Sequence, residues 1–135
     1  MPNKQRLLLL LLLIPMEVLA QQKTLDDFLS AIHMVEASGR VGPIKGDNGA
    51  SLGPLQISKA YWQDSKVKGK YSDCANLIYS KRVAIAYFNK WGRMALEMRD
   101  WEILARIHNG GPRGYRKQST TKYWKKVQEE LYKDR

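Results

Sequence analysis

The stretch that decides the fold of this chain is AIHMVEASGRVGPIKGDNGASLGPLQISKAYW, residues 31–62. It starts as an amphipathic helix, passes through a Gly-rich hairpin, and leads through an apolar segment into an aromatic pair. Glu36 stands at the end of the predicted helix, and Asp47 stands eleven residues further on, in the hairpin. We expect the rest of the chain to pack these two acids into one cleft.

The helix that carries Glu36 has recognisable ends. Thr24 is a good N-cap residue, and Asp26 and Asp27 follow it in the first turn, where the helix dipole favours negative charge. Gly39 ends the helix, which places Glu36 in its last turn. Apolar residues recur at three- and four-residue steps along one face: Leu25, Phe28, Ile32 and Val35.

The remaining pattern predicts an α+β fold, mostly helical with a small antiparallel sheet beside the cleft. Residues 41–55 should form two or three short strands, because Asp47-Asn48-Gly49 is a turn sequence. Ser58 should cap a short helix. Longer helices are predicted over residues 73–94, over 101–107, where Gly110-Gly111-Pro112 follows, and from Ser119 or Thr120 onward.

Residues 1–20 have the features of a secretory signal peptide. Lys4 and Arg6 form a basic start, Leu7–Ile14 is an unbroken apolar run, and Val18-Leu19-Ala20 is a small-residue exit. The run is too short to span a bilayer, which takes about 20 residues; an uncleaved anchor is the alternative. We therefore expect residues 21–135 to form one secreted domain, periplasmic if the source is bacterial, with no transmembrane segment and in monomeric form.

The net charge is +10, which draws a protein to polyanions such as acidic cell-wall polymers or anionic membranes. The alternative is that the charge only maintains solubility. Lys and Arg are scattered without a recognition motif, so we expect no specific nucleic-acid partner. The two histidines and the single cysteine do not form a ligand cluster, so we expect no metal and no cofactor. We expect His33 to have a structural role.

Paired carboxyl groups are what hydrolysis of a glycosidic bond requires: one donates a proton to the leaving oxygen while the other stays ionised. Glu36 borders an apolar helix face at the negative end of the helix dipole, which suits the proton donor. Asp47 lies in a polar turn rich in backbone N–H groups, which suits the ionised partner. By position alone Asp64 and Asp73 are also candidates for the second acid, and both Glu36 and Asp47 could equally be ordinary surface and turn residues.

The same stretch resembles the active-site segment of the invertebrate-type (destabilase-like) lysozymes. VEASG, GDNGASLGPLQI and AYWQDS correspond to the family's motifs in order, and LARIHNGGPRG at Leu104–Gly114 and TTKYW at Thr120–Trp124 follow further along. The likeness covers nearly all of Thr24–Val127. Family members are rich in disulfides, whereas this chain has the single Cys74, which cannot form an internal bridge. We expect Cys74 to be a buried apolar residue, with a reactive thiol as the alternative.

The resemblance implies a lysozyme-like catalytic domain that cleaves the β-1,4 bond of peptidoglycan or of a chitin-like oligosaccharide, with Glu36 as general acid and Asp47 as nucleophile or stabiliser. It also implies a set of sugar-binding residues: Gln56, Ser58, Tyr61, Trp62, Tyr87, His108, Asn109 and Gly110. Read without the family, Trp62 and Tyr87 would more often belong to the core, and His108 to a helix C-terminal cap.

Two other functions remain open at the level of sequence. A lytic transglycosylase would use Glu36 alone and release anhydro sugars. A non-catalytic, cationic, sugar-binding antibacterial protein would keep the scaffold and dispense with both acids.

Overall fold

A computed structural model describes residues 22–134. The predicted signal peptide, residues 1–20, lies outside the described residues and stays a prediction. The described chain is mostly helical, and its six α-helices are α1 (Leu25–Ala37), α2 (Lys59–Ser65), α3 (Leu77–Trp91), α4 (Arg93–Met98), α5 (Trp101–Gly110) and α6 (Thr121–Leu131).

Helix α1 begins and ends as its sequence predicts. Thr24 and Asp27 form a reciprocal capping box, and Ser38 and Gly39 close the helix in the left-handed region, with φ of 53° and 76°. The imidazole Nε2 of His33 lies 2.6 Å from the carbonyl oxygen of Arg40, which ties the helix to the chain that leaves it. Glu36 is thereby held in the last turn, close to the hairpin.

The sheet has three strands of two residues each, β1 (Lys45–Gly46), β2 (Ser51–Leu52) and β3 (Ile57–Ser58), paired antiparallel in that order. Residues 41–55 contain two of these strands, in agreement with the two or three predicted, and β3 lies just beyond Leu55. The tight turn before β3 depends on Gln56, whose φ is 49°. Its side-chain nitrogen Nε2 donates to the carbonyl oxygens of Ile44 and Gly53 at 3.0 and 2.9 Å. A side chain that closes a turn in this way has no periodic signature.

The predicted long helix over residues 73–94 is wrong at both ends. Residues Tyr71–Ala75 form a 3₁₀ turn, and α3 begins only after Asn76, whose side chain accepts from the backbone N–H of Tyr79. At the other end, the chain breaks at Gly92 between α3 and α4. A Cβ at that position would lie 2.9 Å from Cδ1 of Ile107, so a larger residue at the break would require this side chain of α5 to shift.

Helix α5 is longer than predicted. It continues past Ile107 to Gly110, so His108, Asn109 and Gly110 belong to its last turn rather than to a loop. Gly111 then ends the helix with a φ of 87°. The extension is what turns the side chain of His108 toward the hairpin.

The core is formed where α1 and α6 pack on α5 and α3. Phe28 stacks on Trp101, with ring centroids 5.0 Å apart, and meets Phe88 on its other side. Leu104 and Val127, both fully buried, complete this cluster. The described part of the chain contains no helix with both the length and the apolar character needed to cross a membrane.

Cys74 is free and fully buried. Burial raises the pKa of its thiol to about 11, with a smaller contribution from the charge of Asp73. The side chain therefore stays an uncharged thiol near neutral pH and acts as a small apolar residue of the core, as the sequence predicts.

Candidate active site

A polar cleft of about 430 Å³ runs between α1, the hairpin and the helices α5 and α6. Most of the site residues predicted from the sequence line it: Glu36, Asp47, Gln56, Ser58, Tyr61, His108 and Asn109. The other lining residues are Val35, Ala50, Ser51, Tyr123 and Lys126. The fold thus brings the two candidate acids into the same cleft.

Glu36 is held by one of its two carboxyl oxygens. The hydroxyl of Tyr123 donates to Oε1 at 2.7 Å, and the imidazole Nε2 of His108 lies 3.5 Å from the same atom. Within residues 22–134, no hydrogen bond engages Oε2. The side chain is 19% exposed, so the carboxyl is largely enclosed yet reaches the cleft. One oxygen is anchored in the wall and the other remains available for a ligand.

His108 is built into the wall of the cleft. Its Nε2 lies 3.0 Å from the carbonyl oxygen of Leu55, and its Nδ1 lies 3.0 Å from the hydroxyl of Tyr61. A carbonyl oxygen can only accept, so Nε2 carries a hydrogen, and in the neutral ring Nδ1 accepts from Tyr61. These two hydrogen bonds link α5 to α2 and to the turn before β3. His108 therefore does more than cap the C-terminus of its own helix.

Two tyrosines, the buried Tyr61 and the partly buried Tyr123, supply hydroxyl donors to this network. Burial raises the pKa of Tyr61 well above its ordinary value, and the charges of Tyr87 and Glu36 add to the effect. Burial likewise raises the pKa of Tyr123 well above its ordinary value, reinforced by the charge of Glu36 and by the hydrogen bond to it. Both hydroxyls therefore keep their protons at neutral pH and can donate.

Asp47 opens a 3₁₀ turn, Asp47–Gly49, between β1 and β2. Asp47 and Asn48 both adopt left-handed conformations, with φ of 50° and 57°, which Asp and Asn tolerate better than most residues. The hydroxyl of Ser51 donates to Asp47 Oδ2 at 2.8 Å, and Ser51 itself is buried. This bond orients one oxygen of the carboxylate, which remains on the cleft side of the hairpin.

The cleft lining does not include the other three predicted binding residues. Tyr87 is buried behind Tyr61, with the two rings stacked 3.7 Å apart. The indole Nε1 of Trp62 donates to the hydroxyl of Tyr79, and the ring borders a separate groove beside residues 66–69. Gly110 packs against Thr120, and its carbonyl oxygen accepts from Lys117.

The alternative second acids lie away from Glu36. Asp64 accepts hydrogen bonds from Lys90 and from the indole of Trp91. The bond from Lys90 lowers the pKa of the Asp64 carboxyl. Asp73 accepts from the backbone N–H of Lys70 at the start of a 3₁₀ turn. Of the acids considered from the sequence, Asp47 is the one that shares the cleft with Glu36.

Sequence reasoning missed three polar side chains of the cleft: Ser51, Tyr123 and Lys126. Tyr123 stands inside the TTKYW motif but is not among the candidate site residues that the sequence indicates. Its hydroxyl is the feature that distinguishes it from a core aromatic residue. Ser51 and Lys126 carry no signal in the sequence, since each meets the cleft only through tertiary packing.

Comparisons with known proteins agree with this fold. The Destabilase family model matches residues 26–130, and the chain belongs to this family of invertebrate-type lysozymes. It is 37% identical over 103 residues to a lysozyme of Meretrix lusoria, an alignment that covers 74% of this chain and 84% of that protein. It is 43% identical over 83 residues to lysozyme 1 of Crassostrea virginica, covering 60% of this chain and 45% of that one. The chain thus spans less than half the length of the latter relative.

Solved structures show the same fold. The inhibitor-bound lysozyme of Meretrix lusoria superimposes with a TM-score of 0.66 at 33% identity, covering 76% of this chain and 87% of that one. Tapes japonica lysozyme gives a TM-score of 0.63 at 34% identity, covering 76% and 86%. The α+β lysozyme-like architecture predicted from the sequence is confirmed.

Proposed function

We propose that this protein is a secreted muramidase that hydrolyses the β-1,4 glycosidic bond of peptidoglycan. The observation that carries the proposal is that Glu36 and Asp47, from different elements, line one polar cleft. Two carboxyl groups on a shared cleft are the machinery that glycoside hydrolysis requires. The similarity to proteins named lysozyme supports the same reaction.

In this proposal Glu36 is the general acid. Its Oε1 is occupied by the hydroxyl of Tyr123, which leaves Oε2 to carry the proton and to donate it to the glycosidic oxygen. As the bond breaks, positive charge develops on the sugar ring. The ionised carboxylate of Asp47, oriented by Ser51, stabilises that charge or attacks the anomeric carbon.

The rest of the cleft suits an oligosaccharide. Its polar lining includes Gln56, Ser58, Tyr61, His108 and Asn109, so sugar hydroxyl and acetamido groups would find directional partners. We propose three further contributors to substrate binding: Trp62, which borders a separate groove, Tyr87 and Gly110. The net charge of +10 favours approach to an anionic cell wall.

Activity on a peptidoglycan suspension, followed by loss of turbidity, tests the reaction. Glu36→Gln should lower the rate at least about 100-fold, because the amide cannot donate a proton as a carboxylic acid does. Asp47→Asn should cause a loss of similar order. The matched controls are Glu97→Gln, in an exposed pair with Arg93, and Asp64→Asn, both expected to retain wild-type activity.

The controls and the products decide between the alternatives. Wild-type activity in Glu36→Gln would refute the proposal, and bacterial killing that persists in that variant would favour a non-catalytic antibacterial protein. Activity retained in Asp47→Asn, with anhydro sugars in the mass spectrum of the released fragments, would identify a lytic transglycosylase. Loss of activity in Asp64→Asn alone would show that the second acid is Asp64.

A further inference from the structure

We infer that Tyr123 is a positioning residue for Glu36: its hydroxyl holds Oε1 in the cleft wall so that the proton to be donated resides on Oε2. The inference deepens the proposed function and rests on it. It concerns a residue of α6, 87 positions away from Glu36 along the chain, that no feature of the acid's own helix would indicate.

The geometry of the bond is the first argument. The Tyr123 hydroxyl lies 2.7 Å from Oε1, the usual length for a hydroxyl that donates to a carboxyl oxygen. A carboxyl on a flexible side chain at the end of a helix can rotate, which exchanges its two oxygens. A short bond to one oxygen opposes that rotation and leaves the other oxygen facing a ligand. Proton transfer depends on such placement to within a fraction of an ångström.

The second argument is that Tyr123 is itself fixed. Its ring lies 6.3 Å from that of His108 and nearly parallel to it. His108 is in turn held by Leu55 and Tyr61. The hydroxyl stays protonated, because burial and the neighbouring carboxyl both raise the pKa of Tyr123. It is therefore a permanent donor across the pH range in which the enzyme would act.

Other groups that face Glu36 are accounted for in the same cleft. His108 on α5 approaches Oε1 at 3.5 Å, but its Nε2 hydrogen is already directed to Leu55. Tyr61 on α2 donates to His108 rather than to the acid. Asp47 in the hairpin and Lys126 on α6 line the cleft and contribute charges of opposite sign. Among residues 22–134, Tyr123 is the donor that forms a hydrogen bond with the carboxyl of Glu36.

The test is Tyr123→Phe, with Tyr71→Phe as the matched control. Both substitutions remove a hydroxyl that donates a 2.7 Å bond, but the bond from Tyr71 goes to the backbone carbonyl of Ile57. We expect Tyr123→Phe to lower kcat by about 5- to 100-fold with KM within about twofold, since the misplaced acid impairs the reaction and not the binding. The control should keep wild-type kcat.

The split between kcat and KM separates positioning from a merely structural role. Loss of the hydroxyl leaves the other residues of the cleft in place, so KM should stay near its wild-type value while kcat falls. A general loss of structure would disturb substrate binding as well and would raise KM. Tyr71→Phe should leave both parameters unchanged.

The outcomes are distinguishable from failure of the proposed function. If Glu36→Gln is inactive while Tyr123→Phe has wild-type kcat, the inference is wrong and the proposed function stands. If Glu36→Gln retains activity, the proposed function fails whatever Tyr123→Phe does. A kcat loss in Tyr123→Phe that comes with a comparable rise in KM would also overturn the inference, because it would show a general disturbance of the cleft.

Discussion

At the scale of single residues, the candidate site depends on hydroxyl groups that orient carboxyl groups. The hydroxyl of Tyr123 donates to Glu36, and the hydroxyl of Ser51 donates to Asp47. In each case the hydroxyl comes from a different element, or from the far side of a turn, and bonds one carboxyl oxygen only. Each acid is thereby oriented by an uncharged hydroxyl group. An ion pair with Lys or Arg would instead compensate the charge of the carboxylate.

The bond between Ser51 and Asp47 allows a prediction. Ser51→Ala should lower activity on peptidoglycan by about 3- to 30-fold, because an unanchored Asp47 samples unproductive orientations. It should cost about 1 kcal/mol in the free energy of unfolding, the usual net contribution of one hydrogen bond. Turbidity loss and urea unfolding measure the two effects.

The matched control for that variant is Ser80→Ala. The Ser80 hydroxyl donates to the backbone carbonyl of Cys74 at 2.6 Å, buried and away from the cleft. It should show the same kind of stability loss with wild-type activity. If both variants lose activity equally, Ser51 has no particular role in orienting Asp47.

At the scale of elements, the hairpin is placed by close contact between backbones. Gly53 lies in the turn between β2 and β3 with a φ of 82°, and a Cβ there would stand 1.8 Å from the carbonyl oxygen of Cys74. The 3₁₀ turn Tyr71–Ala75 therefore presses directly on the sheet. This contact, together with the amide of Gln56, sets the register that brings Asp47 toward α1.

Substituting Gly53 isolates that contact. Gly53→Ala should lower the free energy of unfolding by about 3 kcal/mol or more, the sum of left-handed strain and overpacking against backbone. Gly42→Ala is the comparison, since its φ is also positive, at 104°, yet nothing lies within 4 Å of its Cβ position. It should cost only about 1 kcal/mol. Equal losses in thermal or urea unfolding would mean that the close approach adds nothing.

At the scale of the whole molecule, stability comes from packing rather than from disulfides. The single cysteine is buried, and aromatic residues occupy the centre of the core, where Phe28 meets Trp101 and Phe88. The fold also buries thiol and phenol groups. Burial raises the pKa of Cys74 to about 11 and that of Tyr87 to about 12. Tyr61 and Tyr123 are raised well above their ordinary value.

These raised pKa values predict alkaline destabilisation. The unfolded chain releases the Cys74 proton near pH 9 and the tyrosine protons near pH 10, whereas the folded protein retains them. The folded state binds more protons above pH 9, so the free energy of unfolding falls as the pH rises, and the melting temperature should drop steadily between pH 9 and 11. Cys74→Ala should weaken the part of this drop between pH 9 and 10, whatever it costs at neutral pH. A melting temperature that is unchanged or rises over this range would contradict the prediction.

The chain's local patterns are enough to specify much of this architecture. The cap at Thr24, the helix stop at Gly39 and the turn at Asp47-Asn48-Gly49 are short-range features, so helix α1, the hairpin and the positions of both acids follow from the sequence. The order of the sequence motifs along the chain indicated the invertebrate-type lysozyme family. The break at Gly92 and the late third strand escaped prediction, because they arise from the packing of Ile107 and the side chain of Gln56.

Tertiary structure alone decided which side chains meet the acids. Tyr123 lies 87 residues from Glu36, and His108 lies 53 residues from the Leu55 carbonyl that fixes its ring. Such contacts depend on how α5 and α6 pack on α1, and hydrophobic periodicity specifies only which face is buried, not the partner of a particular hydroxyl. The same packing places Tyr87, a proposed sugar-binding residue, behind Tyr61. The sequence determined where the acids stand, and the packing of distant helices determined what holds them.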